Sequence, residues 1–299
     1  MPFGATTLSL FTLATLVLVP LVGAATMFWP ASVARRERRV RTWAEKHLAV
    51  LTPDVATAVD TALARRRRLD GVLLLLLSLV ALPVAFVQAG DGVVRAVVMT
   101  LCVSLGVVAA LTASWQLSRP WFEVGPTRSA RPRAVSLRDY VFPPVRWCAW
   151  ASGAVCLAGI VLVLLAGAPP AVTAVGTAPS IGVVASVLAS EWNGRRAARR
   201  PQPARDAAEL YALDAWRADV AGTAFQAPAW FGGYVTIVVT WRFVPDPVAS
   251  ALLQVAGVLL LVLWIATKRI RAYGMTWTRH RLWPTLADGD TITVEAATA

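Results

Sequence analysis

Two histidines, three cysteines and seventeen carboxylates are the residues this 299-residue chain could use for acid–base, thiol or metal chemistry. Their spacing encodes none of the usual devices. His47 and His280 each sit among basic residues, and no HExxH helix places a pair of imidazoles on one face. His280, within Arg279-His280-Arg281, reads as a solvated residue beside a membrane surface. Cys102, Cys148 and Cys156 form no CxxC pair and lie at or within apolar runs, where a thiol behaves as a small hydrophobe. No GxxxxGK[ST] loop is present to cradle a nucleotide phosphate. The chain is therefore expected to be no enzyme, with no catalytic residues, no metal and no cofactor.

Polar side chains inside apolar runs are the next place to look. Gln226, Trp230 and Tyr234, with Gln254 further on, could line a pocket for an apolar ligand or a lipid. The plainer reading of Phe225 to Tyr234, which includes the Gly232-Gly233 pair, is an aromatic belt with close helix packing. Gly182, Ser186 and Ser190 recur at i+4 and make a small-residue stripe that lets another helix approach, within the chain or from a partner. No acidic or basic residue falls in the middle of an apolar run. A charge at the bilayer centre costs roughly 2.5–3.5 kcal/mol on insertion scales and is kept for a purpose. Its absence speaks against a proton-coupled transporter, an ion pump or a voltage sensor.

The elements that must carry these residues are membrane helices. The chain is 57% hydrophobic and only 15% charged, against about 25% charged in soluble domains. Arg65-Arg66-Arg67-Arg68 abuts an apolar run that continues to Val87, a junction that suits a bilayer and no aqueous core. The expected fold is all-α, a polytopic transmembrane bundle with spans at about 6–29, 69–87, 93–117, 147–166, 171–190, 223–241 and 248–267. Cytoplasmic loops fall at 30–68, 118–146 and 191–222, the integral domain covers 1–285, and 286–299 reads as a disordered acidic tail. Ala31 to Val50 reads as a basic interfacial helix, and Thr52-Pro53-Asp54 as the start of a second helix that runs into the membrane.

Charge fixes the threading. Of the 29 basic residues, 27 fall in the proposed cytoplasmic parts, and only Arg95 and Arg242 lie at external ends. This places the N-terminus outside and the C-terminus inside a bacterial cytoplasmic membrane. The net charge of +12 then reflects topology, and nucleic acid is not an expected partner. Arg65, Arg66, Arg67 and Arg68, with Lys268, Arg269 and Arg271, are the expected contacts to anionic lipid, flanked by Trp43, Trp277 and Trp283. Arg68-Leu69-Asp70, Arg138-Asp139 and Arg217-Ala218-Asp219 each precede a pair of spans, which suggests three related hairpins; the bland reading is that helix starts gather Arg and Asp.

Arg200-Pro201-Gln202-Pro203-Ala204-Arg205-Asp206, followed by Leu213-Asp214-Ala215-Trp216-Arg217, resembles a segment of uncharacterised actinobacterial multi-pass membrane proteins. Those proteins are often thought of alongside GntR-type regulators and ABC exporters. The resemblance spans about twenty residues and the hairpin layout, transfers no catalytic residue, and implies an inner-membrane protein. The functional expectation is a non-enzymatic membrane component or partner subunit that docks a membrane or cytoplasmic protein. The alternative is a transporter or facilitator for an apolar or cationic solute.

Overall fold

A computed structural model describes residues 25, 32–87, 110–116, 135–167, 170–200, 204, 206–243 and 246–284. The first expected span, most of the third and the acidic tail lie outside the described residues. Among the described residues the regular structure is entirely helical. The helices are α1 (Val33–His47), α2 (Pro53–Val87), α3 (Leu137–Tyr140), α4 (Pro143–Leu165), α5 (Pro170–Arg199), α6 (Ala207–Phe243) and α7 (Pro247–Leu282). Residues 110–116 are helical as well.

Local chemistry sets the helix starts. Thr52 Oγ1 accepts from Val55 N–H at 3.3 Å, and Pro53 opens α2 where its missing N–H costs nothing. Asp206 Oδ1 accepts from Glu209 N–H at 2.7 Å ahead of α6. Asp246 Oδ1 accepts from Val248 and Ala249 N–H at 2.8 and 2.9 Å, with Pro247 next in line. Gly167 closes the turn after α4 at φ +65°, a conformation that a residue with a Cβ rarely adopts.

Several of these helices are much longer than a bilayer needs. α2, α6 and α7 contain 35, 37 and 36 residues. At 1.5 Å per residue each is over ~50 Å long, against ~30 Å of hydrocarbon. The changes of composition near 190, 222 and 267 are thus not breaks in the backbone: α5, α6 and α7 run straight through them. Backbone hydrogen bonding is indifferent to side-chain polarity, so a helix continues wherever its polar end finds something to pack on. By length and composition, one helix among the described residues, Pro143–Leu165, can cross a membrane, and Pro247–Leu263 is a shorter apolar stretch.

Consecutive helices from α4 to α7 pack antiparallel, and α6 touches the other three, running parallel to α4. Small residues set the spacing. Ser190 Oγ and Ser152 Oγ donate to the α6 carbonyls of Ala224 and Ala229 at 3.0 and 3.1 Å. A Cβ on Gly232 would lie 2.5 Å from Ser152 Cβ, and one on Gly233 would lie 2.9 Å from Gly257 O. The adjacent glycines thus bring two neighbouring sides of α6 against α4 and α7. Ser186 and Ser190 of the small-residue stripe are both buried, and Ser190 serves the α5–α6 contact inside this chain.

Ser152 lies level with Ala229, so the first three turns of α6 project beyond the start of α4. That projection meets α1, the first turns of α2, and α3. The larger apolar core forms there, around Trp43, Val55, Val59, Tyr140, Tyr211, Trp216 and Phe225. A smaller one, around Cys156, Val163, Val183, Val235 and Leu253, fills the bundle. α1 differs from its sequence reading at this point. Val40, Trp43, Ala44 and His47, which form its apolar face, are buried against the chain itself, and the face turned outward carries Arg35, Arg38 and Arg41.

Candidate functional site

The charged ends of α4 to α7 converge on one end of the bundle, where carboxylates buried in the packing hold the peripheral elements. Asp219, on α6, is the hub for α1 and α2. Its Oδ1 accepts from Lys46 Nζ at 2.9 Å and lies 3.8 Å from His47 Nε2, while Oδ2 lies 3.6 Å from Arg66 Nη1. The Asp219 side chain is 8% exposed, Lys46 is 44% exposed and Arg66 26%. Arg36 pairs with Asp60 and ties α1 to α2 a second time. His47 is wholly buried against the Trp43 ring, 4.8 Å between centroids.

Asp214, five residues before Asp219, faces different neighbours. It is 1% exposed and accepts from Tyr140 Oη and Trp283 Nε1, both at 3.0 Å. One carboxylate thereby binds α3 and the end of α7 to α6. Tyr211, one turn earlier, packs edge-on against Trp283 and donates to His47 O at 2.9 Å. Burial pushes its phenol above the usual 10.0, although Arg279 nearby pulls the other way.

Asp139 folds α3 back on itself, accepting from Ser136 N–H at 2.8 Å and Ser136 Oγ at 2.9 Å. Arg281 Nε lies 3.4 Å from its other oxygen, and Trp277 Nε1 donates to Arg138 O at 3.2 Å, so α7 clasps α3. Across the bundle, Glu191 on α5 receives Arg146 Nε and Nη2 from α4 at 3.0 and 2.5 Å, and Arg195 Nε at 2.7 Å. Burial alone would raise the Glu191 carboxyl, but the two guanidiniums hold it below its ordinary 4.5.

Chemically this is a set of buried carboxylates engaged by donors. Such groups orient helices; an acid or base catalyst needs an open face toward substrate. Among the described residues, no three or more His, Cys, Asp or Glu side chains converge as a metal site. Cys148 and Cys156 are buried free thiols. A groove of about 480 Å³ lies between α1 and α2, lined by Val33, Val40 and Leu51 together with Arg36, Arg41 and Asp60.

The residues singled out in the sequence are dispersed. Gln226 and Trp230 are half-buried on α6, and Trp230 packs on the smaller core. Gln254 donates to Ser250 Oγ at 3.2 Å on its own helix. The Tyr234 side chain lies outside the described residues, as do those of Lys268, Arg269 and Arg271. The four consecutive arginines divide: Arg66 turns in to Asp219, Arg67 is half-buried, and Arg65 and Arg68 are exposed. Trp43 and Trp283, read as membrane-surface residues, are built into the packing instead. Asp214 is the main residue that sequence reading missed, since nothing adjacent to it announces Tyr140 and Trp283 as its partners. The Arg–Asp pattern did mark Asp139 and Asp219. The chain matches no family model, no curated protein sequence and no solved structure.

Proposed function

We propose that the chain is a seven-span protein of a bacterial cytoplasmic membrane, N-terminus outside and C-terminus inside, and that it acts as a non-enzymatic membrane component or partner subunit. The observation that carries the membrane reading is the exposed surface of α4, α5 and α7. Leu157, Val161, Leu164 and Leu165 on α4, Ile181 and Leu188 on α5, and Val248, Leu252, Val255, Leu259 and Val262 on α7 are 46–78% exposed. Soluble monomers rarely show contiguous apolar patches above a few hundred Å². A bilayer covers such a surface, and the basic end then faces the cytoplasm.

The non-catalytic reading rests on the buried carboxylates, whose partners are helices of this chain. The exposed charges on α1, α2 and the end of α5 are mostly arginine, with Glu37, Glu45 and Asp54 among them, a basic excess that suits an acidic cytoplasmic partner. Affinity purification of the full chain in mild detergent tests the assignment. A stoichiometric partner protein is the expected result; recovery as a lone monomer from membranes at native abundance contradicts it.

A further inference from the structure

One face of α5 changes chemistry in a fixed order. Ile181, Ala185, Leu188, Trp192, Arg195 or Arg196, and Arg199 follow each other at i+3 and i+4, which places them on one ridge. All are exposed: Ile181 by 53%, Leu188 by 52% and Trp192 by 71%, with Ala185, Arg195, Arg196 and Arg199 exposed too. The neighbouring helix adds a matching marker. Trp147, 73% exposed, follows Arg146, and the Arg146–Glu191 pair sets it level with Trp192.

We propose that the α4–α5 seam, between Trp147 and Trp192 and the arginines Arg195, Arg196 and Arg199, seats the headgroup of an anionic phospholipid. The inference rests on the membrane reading above. The order along the ridge is that of the lipid: acyl chain against Ile181 and Leu188, glycerol level with the indoles, phosphate against the guanidiniums. The spacing fits as well. Arg195 and Arg199 lie ~5 and ~10 Å beyond Trp192 along the helix axis, within or just beyond the headgroup layer that borders the hydrocarbon. Among the described residues, four arginines gather here against the carboxylate of Glu191, which Arg146 and Arg195 already engage. Arg196 and Arg199 therefore supply the uncompensated charge.

The test is native mass spectrometry of the full chain after equilibration with equimolar phosphatidylglycerol and phosphatidylcholine. The wild type should retain phosphatidylglycerol selectively. Arg196→Gln with Arg199→Gln should lower that affinity about 25-fold, roughly five-fold per arginine. Arg35→Gln with Arg38→Gln on α1 removes the same charge elsewhere and should leave it unchanged. Equal loss in both variants would overturn the site, because binding would then follow net charge alone. Displacement of the lipid by low-millimolar inorganic phosphate would also overturn it, in favour of a soluble anion. Release of the wild type from membranes by carbonate would instead refute the membrane reading, whatever the lipid data show.

Discussion

Replacing Asp219 with Asn isolates what holds the α1–α2 hairpin to the bundle. The carboxylate is 8% exposed and faces Lys46, Arg66 and His47 within 3.8 Å. At an effective dielectric of ~20, each charge pair at this range has a gross attraction of about 4–6 kcal/mol. Desolvation cancels much of this, and Lys46 and Arg66 are 44% and 26% exposed, so solvent screens both. Removing one partner of a fully buried pair costs about 3–5 kcal/mol and of an exposed pair under about 1, so this hub should lie between, near 2 kcal/mol. The loss should be local, because Asp219 joins α1 and α2 to α6 while the α4–α5 contact does not use it. Hydrogen exchange on the detergent-solubilised chain reads it directly: amides of residues 33–47 should exchange about 30-fold faster and those of α4 should hardly change. Unchanged exchange in α1 would refute the hub. So would an equal rise throughout, which would make Asp219 a general support.

Four further outcomes follow from the structure. Gly233→Ala should destabilise by about 1–3 kcal/mol in thermal unfolding, because its Cβ meets the backbone oxygen of Gly257. Gly222→Ala, with nothing within 4 Å, should be neutral or stabilising by up to about 1 kcal/mol. Trp283→Phe should cost about 1–3 kcal/mol by leaving Asp214 one donor short, and should raise proteolysis near α3. Glu191 is held below 4.5, so its contribution is complete above that pH and is lost as pH falls through the lowered value. Glu191→Gln should flatten that acid limb of the Tm–pH curve while lowering Tm at neutral pH.

Much of the architecture was legible because it is written in local terms. Thr52-Pro53-Asp54 starts α2, and the arginine-to-leucine junction at Arg68 lies inside a helix that runs on to Val87. The continuity of α5, α6 and α7 through their polar stretches was not legible. Hydropathy drops at Glu191 and before Thr223, but the helix has no reason to stop where α1, α3 and the end of α7 offer it a packing surface. The tryptophans were ambiguous for a related reason. An indole suits both a membrane surface and a core with a hydrogen-bond acceptor. Only the fold decides that Trp192 is exposed and that Trp283, 69 residues from Asp214, is bonded to it. The Arg–Asp pairs marked important carboxylates, yet Asp139 meets Arg281 and Asp219 meets Lys46, both far along the chain.

The central claim is that the basic, carboxylate-laced end of the bundle lies in the cytoplasm and the apolar ridges of α4, α5 and α7 lie in lipid. Single cysteines in an otherwise cysteine-free chain test it in intact cells. Ala166→Cys, at the exposed turn after α4, should react with a membrane-impermeant maleimide added outside. Arg196→Cys should react only after permeabilisation. Labelling of Arg196→Cys from outside, or protection of Ala166→Cys, would contradict the account.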